Sequence, residues 1–324
     1  MRTISFLQAT VAAQREEMQR DDKVFLMGLD VSWDIMGTAT GLLEEFGPER
    51  VRDAPISENG YVGTAIGASM VGMRPIAEIE IAPFLYVAMD QLVSIGAKSK
   101  YIYGGQATLP VTIRLPMMYA VSNAAQHSDR PYPTMMTIPG LKIVVASNAL
   151  DQYGLLKSAI REDDPVLVFE DITCYGVKNE VPDAEEDFTV PLGKARVARE
   201  GSDVTVVALG GPVNHALAAA ETLAGEGVSV EVVDLRSVVP LDRDTILESV
   251  AKTGRLVVAD AAHEMGSVAS EVSAIVAQHG FWDLQAPIAR VTTPHTHIPY
   301  ARSMEFPLYP NPEKIAAAAR ATLD

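Results

Sequence analysis

The stretch VTVVALGGPVNHALAAAETLAGEGVSVEVVD, residues 204–234, reads as a strand, a turn, a helix and a second strand. Val204 to Ala208 is a short apolar run rich in β-branched side chains, which suits a strand covered on both faces. Gly210-Gly211-Pro212 interrupts it, and Asn214 to Ala224 is then dominated by alanine and leucine, strong helix formers. Val228 to Asp234 returns to strand composition. Two buried strands joined through a helix pair in parallel, because a crossover of this kind brings the chain back to the same end of the sheet. The alternation runs on through a helix at Arg243–Lys252, a strand at Leu256–Val258, a helix at Gly266–Gln278, a strand at Ile288–Val291 and a closing helix at Pro312–Leu323.

Upstream the same rhythm holds. Ile4, Leu7, Val11 and Met18 fit one helical face, and Val24–Met27 is a short apolar strand. Gly60–Met73 reads as a helix rich in small residues, Ile76–Ile81 as a strand, Leu85–Lys98 as a helix and Val111–Arg114 as a strand. Ile143–Val145, a helix at Asp151–Arg161 and Val166–Phe169 complete this first series. Between the two series the acidic, proline-containing run Asn179–Asp187 reads as a linker. The expectation is an α/β protein with two domains, 1–185 and 195–324, each a mainly parallel sheet flanked by helices. A length of 324 residues agrees with two domains of roughly 150 each.

Composition narrows the function. A formal charge of −16 repels phosphate backbones and anionic lipid, so neither nucleic acid nor a membrane surface is an expected partner. Cys174 is the only cysteine, which excludes an intrachain disulfide and any multi-cysteine metal centre and fits a reducing compartment. The opening MRTISFLQATVAAQREE has no continuous apolar signal core, so a cytoplasmic protein with nothing removed is expected.

In open α/β sheets ligands sit beyond the carboxyl ends of the strands. No phosphate-loop, zinc-protease or serine-elbow pattern occurs there. Gly60, Gly63 and Gly67 lie within a helix and suit close packing, whereas Gly210-Gly211-Pro212 serves equally as an anion-binding turn or a tight βα turn. Pro55-Ile56-Ser57-Glu58-Asn59 precedes a helix; Glu58 there reads either as a functional carboxylate or as a first-turn charge facing the helix dipole. Ala125-Gln126-His127-Ser128 places an imidazole in a loop after a strand, again with a structural alternative.

These segments, with Phe46-Gly47-Pro48-Glu49-Arg50-Val51, Met73-Arg74-Pro75-Ile76, Pro139-Gly140-Leu141-Lys142, Lys157-Ser158-Ala159-Ile160-Arg161, Asp234-Leu235-Arg236, Ile298-Pro299-Tyr300-Ala301 and Leu308-Tyr309-Pro310, run in one order along nearly the whole chain. The chain resembles the beta subunit of thiamine diphosphate-dependent 2-oxoacid dehydrogenases, the decarboxylating component of the pyruvate, branched-chain and acetoin complexes. The resemblance implies a pyrimidine-binding domain of the transketolase type followed by a transketolase C-terminal domain. It implies oxidative decarboxylation of a 2-oxoacid with acyl transfer to a lipoyl group, activity only with an alpha subunit in a two-alpha, two-beta heterotetramer, and a lipoyl acyltransferase core as a further partner. Magnesium and the diphosphate would be held by the alpha subunit. By the same resemblance Glu58 would bond the aminopyrimidine ring, His127 would exchange protons with the substrate adduct or lipoyl sulfur, Phe84 would stack on the ring, and Ile56 and Ser57 would line that turn. Val111, Ala159, Ile160, Glu162 and Asp164 match positions whose backbone carbonyls would hold a possible potassium ion. A split transketolase or carboligase half, and a non-catalytic regulatory or scaffold subunit, are the competing readings.

Departures from the family cluster in two loops. Arg114-Leu115-Pro116-Met117-Met118-Tyr119 replaces a glycine-rich Arg-Gly-Pro-x-Gly turn, and Asp129–Thr137 replaces a glutamine, an aromatic pair and a histidine. Leu29 stands where a glutamate is usual. His295 and His297 share one strand face without a third ligand, and Cys174 has no base beside it in sequence.

Overall fold

The computed structural model describes every residue, Met1–Asp324. The chain divides into two compact units, Met1–Met118 with Thr134–Leu192, and Tyr119–Pro133 with Gly193–Asp324. Chain order alone puts the 119–133 loop with the first series of elements; packing groups it with the second.

In the first unit the strands are β1 (Arg2–Ser5), β2 (Val24–Leu29), β3 (Val51–Ala54), β4 (Arg74–Glu78), β5 (Thr112–Met117), β6 (Lys142–Ala146), β7 (Val166–Asp171) and β8 (Lys178–Val181). Six of them run parallel in the order β6-β7-β5-β4-β2-β3. The helices Phe6–Arg20 and Ala149–Arg161 pack on one another and on the sheet, burying Phe6, Met18, Leu26, Ile76, Tyr153 and Val168. This order sets the carboxyl ends of β2, β3, β4 and β5 side by side, with Gly28 level with Glu78 and Glu78 level with Arg114. A Cβ on Gly28 would lie 2.5 Å from the Glu78 carbonyl oxygen, so only glycine permits that approach.

Three expectations are corrected here. The helical face read from Ile4 begins at Phe6, because Ser5 and Gln8 close a reciprocal capping box at 3.2 and 2.9 Å. Residues 2–5 instead form β1, which pairs antiparallel with β8, so the linker read at 179–187 is partly strand. The single helix read over Leu85–Lys98 is three pieces: a 3₁₀ segment at Ala82–Ala88, a π-helical segment at Gln91–Gly96 and a short α-turn at Ser99–Ile102. Pro83 starts the first piece, and the wider π turn breaks the 3.6-residue period that the apolar pattern had suggested.

The second unit contains β9 (Arg196–Arg199), β10 (Val204–Ala208), β11 (Val230–Asp234), β12 (Ser237–Val239), β13 (Leu256–His263) and β14 (Ala289–Thr293). The order β14-β13-β10-β11-β9 is parallel except for the edge strand β9, and the quoted 204–234 stretch forms its centre. Helices Gly211–Ala224 and Pro312–Ala321 cover one face over Val206, Val232, Val257 and Ile315. Gly210 at φ +60° makes the tight βα turn before the first of them. No helix is long and apolar enough to cross a membrane.

Candidate functional site

Glu58 is the first residue of the helix Glu58–Met70, directly after β3 and thus at the carboxyl end of the parallel sheet. Ser57 is the residue before it, but its hydroxyl does not cap the helix; it bonds Asn59 Oδ1 at 3.0 Å. Gly60 makes room for that arrangement, since a Cβ there would lie 2.8 Å from Ser57 Oγ. The Glu58 residue is only 6% exposed, yet its carboxylate accepts no hydrogen bond from any group of the chain. Its charge reaches Tyr61, whose phenol burial first, then Glu58, Glu78 and Glu80, hold well above its ordinary value.

Ile56 stands 79% exposed at the rim of the same turn. Phe84 lies half-buried in the 3₁₀ segment after β4, and that segment packs against the helix that Glu58 begins. The first unit therefore brings together the elements bearing Ile56, Ser57, Glu58 and Phe84. His127 belongs to the second unit, where it ends the short turn Ala124–His127 and is partly buried.

Four of the five carbonyls matched to a potassium site already accept a hydrogen bond. The Val111 carbonyl accepts from Val166 N at 3.0 Å and the Ala159 carbonyl from Glu162 N at 3.3 Å. The Ile160 and Glu162 carbonyls both accept from Arg74 Nη1 at 3.1 Å. Arg74 Nη2 also reaches Asp163 at 2.5 Å, Lys100 reaches Asp164 at 2.5 Å, and Lys142 reaches Glu162 at 2.8 Å. Burial opposes ionisation of Asp164, but the Lys100 and Lys142 ammoniums prevail and hold its carboxyl below the usual range. Fixed side-chain cations thus already serve this loop.

One cluster escaped the sequence reading. Arg114 is wholly buried, bidentate to Glu170 at 2.7 and 2.7 Å, and also bonded to Glu78 and to Gln14 at 3.2 Å. Thr38 donates to both Glu78 oxygens at 2.9 and 2.8 Å, while Gln152 and Tyr175 donate to Glu170 at 3.0 and 3.1 Å. Burial, resisted by Arg114 and assisted by Glu170, raises the Glu78 carboxyl above its ordinary value. The available signal was a charge within each of three neighbouring, largely apolar strands.

Of the two replaced glycines, Leu115 is buried within β5, which continues to Met117 beside β7, and Met118 follows directly after the strand, partly buried. Downstream, Ala120, Ser122 and Ala124 take φ of +60, +62 and +61°. His295 and His297 lie beyond the end of β14 rather than on a strand; His295 meets the ring of His263 at 6.1 Å, and no cluster able to hold a metal is present. Cys174 is a buried thiol.

Fold and site together define a class of two-unit α/β proteins with a carboxylate poised at the carboxyl end of the first parallel sheet. Residues 2–175 match the transketolase pyrimidine-binding domain and residues 193–315 the transketolase C-terminal domain. The chain is 44% identical to the Bacillus subtilis acetoin:2,6-dichlorophenolindophenol oxidoreductase subunit beta, over 98% of this chain and 96% of that protein. It is 43% identical to the 2-oxoisovalerate dehydrogenase subunit beta and 39% identical to the pyruvate dehydrogenase E1 component subunit beta of the same organism; these cover 99% and 100% of this chain and 98% and 100% of theirs. A split-gene transketolase, described as an inactive beta4 tetramer, superposes with a TM-score of 0.81 at 25% identity, covering 99% of this chain and 98% of that one. The chain belongs to the transketolase-like family that contains these dehydrogenase beta subunits.

Proposed function

We propose that the protein is the beta subunit of a 2-oxoacid dehydrogenase decarboxylating component and that Glu58 serves the aminopyrimidine of thiamine diphosphate. The observation that carries this reading is the Glu58 carboxylate, buried at a helix start and left without a donor by its own chain. A ring nitrogen that shares a proton is the kind of partner such a group lacks. Bound thiamine diphosphate would supply a nucleophilic carbon and an electron sink for decarboxylation.

The rest falls to the chain. Glu58 holds the proton shared with the ring nitrogen, and the surrounding burial keeps water from competing for it. Phe84 offers an aromatic face that can hold a ring without exchanging protons, and Ile56 and Ser57 shape the turn at its edge. His127 moves protons at the substrate or at the acyl acceptor, work to which an imidazole's two ring nitrogens are suited. Magnesium and the diphosphate belong on an alpha subunit, because this chain carries no diphosphate-binding glycine loop. A lipoyl acyltransferase is the expected recipient of the acyl group. The assignment to dehydrogenases over split transketolases is supported by 43% and 39% identity to the 2-oxoisovalerate and pyruvate dehydrogenase beta subunits against 25% to the split-gene transketolase.

The test is reconstitution of the chain with its cognate alpha subunit, thiamine diphosphate, magnesium and a panel of 2-oxoacids, read by carbon dioxide release and dye reduction. Turnover that requires both chains and is lost in Glu58→Gln is expected. Turnover of sugar phosphates with aldehyde acceptors in place of 2-oxoacids would overturn the assignment.

A further inference from the structure

The loop that bears His127 is braced by a set of buried groups, all within the second unit. At its start, the Glu305 carboxylate, wholly buried, accepts from Ala120 N and Ser122 N at 2.8 Å each. Those bonds hold two of the three non-glycine residues of this segment that take left-handed backbone, a conformation that costs about 1–2 kcal/mol per residue. At its end, Tyr132 donates to the buried Asp260, which also accepts from Ala262 N and Ala269 N at 2.9 and 3.3 Å. Between them stands Arg130, 4% exposed, with its guanidinium 5.4 Å from the Tyr119 ring centre and 5.3 Å from that of Tyr309. Arg130 Nη1 donates to the carbonyl of Ser128, the residue next to His127. Tyr309 in turn donates to Glu305 at 2.9 Å, which joins the two braces.

Arg130 is a poor choice for stability alone. Neither Nε nor Nη2 meets an acceptor in the chain, and the Asp260 oxygens are taken by Tyr132 and two backbone N–H groups. A buried guanidinium with unmet donors is costly, and two aromatic faces repay only part of it. What the side chain does accomplish is to fix the Ser128–Asp129 peptide, one residue beyond His127.

We infer that Arg130, seated against the Tyr119–Tyr309 ring pair, is a positioning residue for His127. Its consequence for catalysis rests on the function proposed above for that histidine; its effect on the histidine's placement does not. The Tyr119 and Tyr309 rings meet edge to face with centres 5.0 Å apart, and the guanidinium packs against that pair while Nη1 donates to the Ser128 carbonyl.

The test uses the full-length chain with ring-labelled histidine, the His127 signal being assigned by its loss in His127→Asn. Arg130→Met fills the space against the ring pair without donating. It is expected to shift or broaden the His127 signal and to open the 119–133 loop to protease, while the melting temperature stays near that of the wild type. Tyr309→Phe keeps the ring and should leave the signal near its wild-type position, whereas Tyr309→Ala should reproduce Arg130→Met. An unmoved His127 signal and a protease-resistant loop in Arg130→Met would overturn the inference. In the reconstituted enzyme Arg130→Met should lower kcat at least about tenfold with KM for the 2-oxoacid held within about twofold. Wild-type turnover in His127→Asn would remove the proposed role of His127, and the resonance readout would still decide the positioning claim.

Discussion

Replacing Arg114 by methionine should cost the first unit more than any other single side-chain change in its core. The substitution keeps an unbranched apolar chain but removes the only cation facing Glu78 and Glu170, which are 3% and 0% exposed. Three hydrogen bonds to carboxylate and one to Gln14 disappear together. Breaking a buried ion pair by removing one partner costs about 3–5 kcal/mol. For a unit of this size each kcal/mol moves the melting temperature by about 2–4 °C, so a fall of roughly 6–20 °C is expected. Urea unfolding followed by far-ultraviolet dichroism and by calorimetry measures it. Combining Arg114→Met with Glu78→Gln and Glu170→Gln should recover much of the loss, because no uncompensated charge remains buried. A loss below about 1 kcal/mol in Arg114→Met alone would refute the reasoning, since it would mean that the two carboxylates do not depend on that guanidinium.

Three more outcomes follow from the same structure. Glu78 has a folded-state pKa above its unfolded value of 4.5, so its contribution is fully present below about that pH and is lost as pH rises through the folded value; Glu78→Gln should therefore gain stability relative to the wild type from pH 4.5 upward, as urea titrations across that range would show. Gly140→Ala should destabilise by at least about 2 kcal/mol in the same assay, because φ is +99° and a Cβ would sit 2.1 Å from the Ala97 carbonyl oxygen. Exchanging potassium for sodium at fixed ionic strength should leave the melting temperature unchanged, since Arg74, Lys100 and Lys142 already supply cations to the Glu162–Asp164 loop; a rise of several degrees specific to potassium would show that its carbonyls bind the ion.

The alternation of apolar strands and helices was legible because parallel strands covered on both faces leave continuous apolar runs, as at Val204–Ala208 and Val166–Phe169. Glu58 stands out in the sequence for a different reason: its tetrapeptide falls in order with the other segments of the resemblance. Strand β1 was not, since Arg2-Thr3-Ile4-Ser5 has little strand pattern of its own and becomes a strand only by pairing with residues 178–181. The break in Leu85–Lys98 was hidden because one π turn leaves composition unchanged while shifting the period. Arg114 was quoted as part of a family turn, and nothing local revealed that Glu78 and Glu170 would meet it from neighbouring strands. Arg130 was equally opaque: one of its two aromatic partners, Tyr119, lies in its own loop, but the other, Tyr309, comes from the carboxy-terminal end of the chain.

The central claim is that Glu58 is the carboxylate this chain contributes to a cofactor site completed by a second subunit. It is tested most directly by the exchange of the thiazolium carbon-bound proton of thiamine diphosphate for deuterium, followed by magnetic resonance after acid quench in the reconstituted alpha–beta enzyme. Glu58→Gln should slow that exchange by about 10²–10⁴-fold while the cofactor remains bound, the range expected for loss of a positioned acid–base group. Exchange at the wild-type rate in a Glu58→Gln enzyme saturated with cofactor would contradict the account.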